Sequence, residues 1–123
     1  MIQVTVGDRD GVLWLSMAGH AGFAAKGQDI VCAAATMLIY TAAQAAMDMG
    51  CREELEKLPS VTLEDGNAGV AFRPKKDAME KGRLVLEVIR RGLEVLRRRY
   101  PENVAIYVLG NGNSREDTEE PRA

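Results

Sequence analysis

The chain is poor in the residues that build metal centres and disulfide scaffolds. Its 123 residues hold two cysteines, Cys32 and Cys51, and one histidine, His20. Small folds stapled by disulfides carry more cysteines at tighter spacing, so that class is excluded. One histidine and two distant cysteines match no zinc-ligand spacing, and no metal is expected. No glycine loop of the Walker or dinucleotide type is present, and no cofactor is expected. An excess of positive charge is missing too. The formal net charge is −2, which argues against a dedicated nucleic-acid binder while leaving room for a local basic patch. The start, Met1-Ile2-Gln3, lacks the basic segment and apolar stretch of a secretory leader, so a cytoplasmic protein with reduced thiols is expected.

What is present suffices for one folded domain. Apolar residues make up 46% and charged residues 28%, enough for a core and a solvated surface in one compact unit. Residues 30–47 carry no charge, which meets the length of a membrane-spanning helix. Alanine is the commonest residue of this stretch, with Thr36, Thr41 and Gln44 inside it and Asp48 at its end, and its flanks lack aromatic and basic anchors. That composition predicts a buried helix instead.

Ile2, Val4 and Val6 alternate with polar residues, and residues 12–18 alternate again, with Trp14 and Ser16 opposite Leu13, Leu15 and Met17. The Asp10-Gly11 pair between them predicts a hairpin. Residues 19–28 hold three glycines and no period, so a mobile loop through Gly22, Phe23, Lys26 and Gly27 is expected. Asp29 suits an N-cap, and the helix after it is expected to run from Ile30 to about Met49, with Gly50 as its stop. Residues 53–58 suggest one more helical turn. Residues 61–63 and 69–72 around Asp65-Gly66-Asn67 predict a second hairpin. A second helix over 77–100 places Val85, Ile89, Leu93, Leu96 and Tyr100 inward, with Glu87–Arg91 and Glu94–Arg98 pairs outward. Residues 104–109 form one apolar run, as in a strand covered on both faces.

The expected fold class is therefore α/β. A five-stranded mixed sheet carries two long helices in the order strand-strand-helix-strand-strand-helix-strand, with helices on both faces. One domain spans residues 1–110, and the polar, acidic segment 111–123 is expected to be a disordered tail. The first helix is apolar nearly all round, which one sheet face cannot bury, so self-association as a homodimer is expected.

Two residues carry the chemistry. Cys32 falls at the third position of the first helix, where N–H groups lack intrahelical partners and the dipole favours a thiolate. The backbone N–H groups of Cys32 and Ala33 are candidates for holding an oxyanion. The bland alternative is a small buried hydrophobe, as is expected for Cys51. His20 ends a strand just before the loop, and the loop can fold it back onto Cys32, making a thiolate–imidazolium pair for acyl transfer. Its alternative is a surface or capping histidine. Asp29 either caps the helix, orients His20 or engages substrate. Thr36, one turn beyond Cys32, shapes the site or bonds back into its helix. The Arg97-Arg98-Arg99 run suits a helix C-terminus, and an RNA or ribosome contact is the sharper reading.

Gly19-His20-Ala21, with Gly27-Gln28-Asp29-Ile30-Val31-Cys32-Ala33-Ala34-Ala35-Thr36 after it, resembles the signature of the Prp (YsxB-like) family of ribosomal-processing cysteine proteases. Length and element order resemble it over residues 1–110. The resemblance implies that His20 and Cys32 are the catalytic pair, that Asp29 matches the family aspartate, and that Thr36 stands where the family often has serine. It further implies a homodimer that removes a short N-terminal extension from large-subunit ribosomal protein twenty-seven, cutting after a pair of aromatic residues. Two rivals remain. One is a non-catalytic ribosome-associated assembly module using Arg97 to Arg99. The other is a thiol switch pairing Cys32 with Cys51, whose positions near opposite ends of one helix put them beyond disulfide reach.

Overall fold

In a computed structural model, described over residues 1–22, 24–25 and 29–110 and along the backbone of 113–118, the chain opens with a hairpin. Strand β1 (Ile2–Arg9) and strand β2 (Val12–Ala18) pair antiparallel. Asp10 and Gly11 between them both have positive φ, 53° and 82°, the two-residue turn whose twist matches the strands it joins. Helix α1 (Ile30–Cys51) follows, then the hairpin of β3 (Ser60–Glu64) and β4 (Asn67–Phe72). One 3-10 turn (Lys76–Ala78) leads into helix α2 (Met79–Arg99), and strands β5 (Val104–Gly110) and β6 (Asn113–Thr118) end the chain.

The five strands and two long helices expected from the sequence stand in the expected order. A sixth strand is added: β6 pairs antiparallel with β5 and extends the sheet to β3-β4-β2-β1-β5-β6. Residues 113–118 thus differ from the expected unstructured tail, because β5 offers them an open edge; 111, 112 and 119–123 lie outside the described residues. The sheet is mixed because β1 and β5 run parallel.

The expectation of helices on both faces is corrected. Both helices lie on one face and pack side by side, so closely that a Cβ on Gly92 of α2 would stand 3.1 Å from Leu38 Cδ2 of α1. Beneath them Ile2, Val4, Leu13, Leu15, Met17, Val70, Phe72, Val104 and Ile106 form the core with Ile39, Ala42, Ala46 and Leu93. The apolar run of β5 still alternates: Val104 and Ile106 are buried, whereas Ala105 and Tyr107 on the other face are half-buried. On that open face the Trp14 indole lies across its cross-strand partner Gly7, where a Cβ would overlap the ring.

Helix α1 runs past Gly50, the expected stop. Its end is set by Glu53, whose φ of 59° lets the Glu54 N–H reach Met49 C=O and the Glu53 N–H reach Gly50 C=O, the paired closure of a left-handed C-terminus. The following segment is extended, not helical, bridging Leu55 to Pro74. On α1, Val31, Ala35, Ile39, Ala42, Ala43, Ala46 and Met49 are buried. The helix is long and apolar enough to cross a membrane, but this stripe is packed on the sheet and on α2. On α2 the expected Glu87–Arg91 pair forms, while Glu94 pairs with Arg90 and Arg91 instead of Arg98.

Candidate active site

Three separate elements converge on one cavity of about 700 Å³. His20 follows the end of β2, Asp29, Cys32, Ala33, Thr36 and Met37 come from the start of α1, and Asp65 comes from the β3–β4 turn. Gly22 and Ala24 line it from the loop. His20 and Cys32, the pair expected from sequence, are therefore brought to one place. The remaining expected loop residues, Phe23, Lys26 and Gly27, lie outside the described residues.

Local sequence explains each placement. Asp29 is the N-cap of α1: its Oδ1 accepts from the Cys32 N–H at 2.9 Å, satisfying one of the orphan donors of the first turn. Its Oδ2 also accepts from the Ala24 N–H at 3.4 Å, which ties the loop to the helix start. Capping is thus a role Asp29 holds here. Cys32 is half-buried with a free thiol, and its side chain stands on the turn that Asp29 fixes.

The same hydrogen bonds occupy both oxyanion candidates. The Cys32 N–H is engaged by Asp29 Oδ1, and the Ala33 N–H donates to Asp29 C=O at 3.1 Å. Neither stands ready for an oxyanion in this arrangement, because a good N-cap consumes the donors that an oxyanion would use.

His20 is held by backbone. The Gly19 N–H donates to Gly66 C=O at 2.9 Å, continuing the β2–β4 ladder past the strand end and carrying the β3–β4 turn to the histidine. Gly66 has φ of 75°, and a Cβ there would lie 2.9 Å from His20 Nε2. Asn103 Nδ2 donates to Ala21 C=O at 2.9 Å and anchors the chain just after His20. Gly66, Asp65 and Asn103 were not read from the sequence as part of the site. The turn signal at Asp65-Gly66-Asn67 was visible, but its distance from His20 is closed only by the sheet. Thr36 does line the cavity. Cys51, by contrast, is exposed on the last turn of α1, not buried, and it lies 19 residues from Cys32 along one helix. At about 1.5 Å per residue that separation excludes an intramolecular disulfide.

Comparison with known proteins shows the family of the chain. The family model described as cysteine protease Prp matches residues 1–105. The chain belongs to the cysteine protease Prp family. It is 32% identical over 111 residues to the ribosomal processing cysteine protease Prp of Bacillus subtilis, covering 86% of this chain and 96% of that protein. The Staphylococcus aureus Prp is 24% identical over 105 residues, 85% of this chain and 94% of its own length. Among solved structures, S. aureus Prp with a covalently linked product peptide superposes with a TM-score of 0.67 at 24% identity, covering 88% of this chain and 99% of that one. A Streptococcus mutans protein superposes with a TM-score of 0.63 at 27% identity, covering 89% and 95%. The family membership makes this chain a cysteine protease, and Cys32 is the thiol that lies in a cavity with a histidine.

Proposed function

We propose that this cysteine protease removes the N-terminal extension of large-subunit ribosomal protein twenty-seven, cutting after aromatic residues, with Cys32 as nucleophile and His20 as general acid and base. The observation that carries the reading is the convergence of the chain's one histidine and the half-buried Cys32 on a single cavity. The curated relatives are themselves named as ribosomal processing proteases, which supports the substrate class.

The chemistry follows from the two side chains. Cys32 Sγ, as thiolate, attacks the carbonyl carbon of the scissile bond. The imidazolium of His20 gives its proton to the leaving amine, the C–N bond breaks, and an acyl-enzyme remains on Sγ. Water, deprotonated by His20, then releases the acid and restores the thiol. Use of the Cys32 N–H for the oxyanion requires Asp29 to let it go, which assigns Asp29 a part in the reaction besides capping. Met37, 61% exposed, and Ala33 give the cavity an apolar wall suited to an aromatic side chain.

Two further assignments go with this reading. The enzyme acts in the cytoplasm. It also acts as a homodimer, for which the exposed α1 stripe of Ile30, Met37, Tyr40 and Met47 supplies the apolar surface. The deciding experiment incubates the protein with a synthetic N-terminus of the host's own ribosomal protein and reads products by mass spectrometry. One cut after the aromatic residues is expected, lost in Cys32→Ala and His20→Ala; full cleavage by Cys32→Ala overturns the assignment. Sedimentation of the wild-type protein tests the dimer, and a purely monomeric species at micromolar concentration refutes it.

A further inference from the structure

We propose that the outer rim of β3 seats the substrate's backbone: an extended peptide adds to the sheet there as one more strand and runs from it into the Cys32–His20 cavity. This rests on the cysteine-protease reading of that cavity and concerns how the peptide is presented to it.

Strand β3 is the last in the sheet, paired with β4 on one side alone. Which of its backbone groups face outward follows from the turn. Asp65 and Gly66 form a two-residue loop, so the closing pair Glu64↔Asn67 exchanges hydrogen bonds, and so do Thr62↔Gly69 and Ser60↔Ala71. Val61 and Leu63, at the alternate positions, turn their N–H and C=O away from β4. The parity is consistent across the sheet. Gly66, next after Asp65, sends its C=O to Gly19 on the β2 side, as the alternation requires. Among the described residues nothing bonds the outward groups of Val61 and Leu63.

An exposed edge is a template for another chain, and proteins usually blunt such edges with proline, lysine or a covering segment. The Ser60–Glu64 strand, SVTLE, has neither proline nor lysine. Its outward-bonding residues are both apolar. They also share the helix-side face with their partners Val70 and Ala68, which are buried. Helix α1 packs over β4 and β2, leaving Leu63 42% exposed. The β3 edge therefore carries an apolar floor of Leu63 and Val61 on its helix side. It leads to Asp65, which follows β3 by one residue and lines the catalytic cavity together with Met37. Five strand residues span about 17 Å, room for a peptide of similar length. Main-chain pairing supplies affinity, and side chains at every second peptide position meet the apolar floor. The occupant is an extended, uncharged segment of the substrate.

The test uses a fluorogenic peptide with two aromatic residues before the scissile bond. It is N-methylated at one backbone position at a time, away from that bond. Leu63→Pro removes one outward N–H without touching the β3–β4 ladder, and Leu63→Ala keeps it. On the wild-type enzyme, N-methylation should raise KM at alternate positions only, by about tenfold, the worth of one lost hydrogen bond. Leu63→Pro should raise KM by a similar factor with kcat held within about threefold, and Leu63→Ala should raise it less. Alkylation of Cys32 by iodoacetamide should be unchanged in both. Methylation penalties that do not alternate overturn the proposal, as does a Leu63→Pro enzyme with wild-type KM. If Leu63→Pro fails to fold, the methylation scan on wild-type protein decides alone. Cleavage retained by Cys32→Ala would instead refute the protease reading and leave the β3 result separately legible.

Discussion

Gly66 lies so close to His20 that a side chain on it would press on the ring: a Cβ there would stand 2.9 Å from Nε2 and 3.3 Å from Cε1 of the imidazole. The turn between β3 and β4 is in this way the wall against which the histidine is set. The Gly19–Gly66 hydrogen bond keeps wall and ring in register.

Gly66→Ala should therefore damage catalysis more than stability. The substituent is strained at φ of 75°, which costs about 1 kcal/mol, and it drives the imidazole from its place. A kcat loss of about a hundredfold is expected, since small misplacements of a catalytic group cost that much. Peptide cleavage kinetics beside a urea melt separate the two effects. A wild-type kcat would show that the ring does not depend on this wall.

Asp29 combines a cap with a charge, and two substitutions divide them. Asp29→Ala should lose about 1 kcal/mol of stability, the usual worth of an N-cap. Asp29→Asn keeps a capping oxygen and should retain most of that stability. If cleavage falls equally in both, the carboxylate's charge matters to the reaction; if it falls only in Asp29→Ala, capping is its whole contribution. Chemical denaturation and peptide turnover provide the two readouts.

On the open sheet face, the close approach of Trp14 to Gly7 makes a spectroscopic reporter, because Trp14 is the sole tryptophan. Gly7→Ala should push the indole off the sheet. A red-shifted emission maximum and a loss of about 1–3 kcal/mol from overpacking are expected. Unchanged emission would mean that the ring does not rest on this strand.

Glu87 is held below the ordinary glutamate range, first by its hydrogen bond to Arg90, against the opposing effect of burial, and then by the charges of Arg90 and Arg91. A carboxylate lowered in the folded state contributes stability that is fully present above its unfolded value of about 4.5. That contribution is lost as pH falls through the lower folded value. Glu87→Gln should thus be less stable than wild type at neutral pH, by a modest amount for so exposed a group. The difference should shrink as pH falls below about 4.5. Urea midpoints at pH 7 and in the acid range measure this, and a difference that grows toward acid would contradict the sign.

Much of the architecture was legible residue by residue. Alternation placed β1 and β2, Asp10-Gly11 announced the hairpin turn, and Asp29 marked the start of α1. Each is a local preference acting within a few residues. The errors have physical causes as well. Gly50 is a good stop by propensity, but the helix continued to Cys51 and closed through the left-handed Glu53, after which Leu55 bridges to Pro74. The apolar run of β5 reads as a strand covered twice, yet its second face is left half-open because both helices crowd onto the first. The Cys32 N–H lacks an intrahelical partner in an idealised helix start and Asp29 Oδ1 takes it here, whereas the Ala33 N–H makes the first regular helix bond, to Asp29 C=O.

The sequence by itself determined the order of elements, the cap that holds Cys32 on its turn, and which thiol and imidazole are the candidates for a reactive pair. Those properties depend on neighbours in the chain and on side-chain chemistry. Only the tertiary structure decided that His20 faces Gly66, that Asp65 stands in the same cavity, and that the rim of β3 opens beside it. Those relationships join residues far apart in the chain, His20 and Gly66 above all, and a sheet's register, not local preference, brings such residues together.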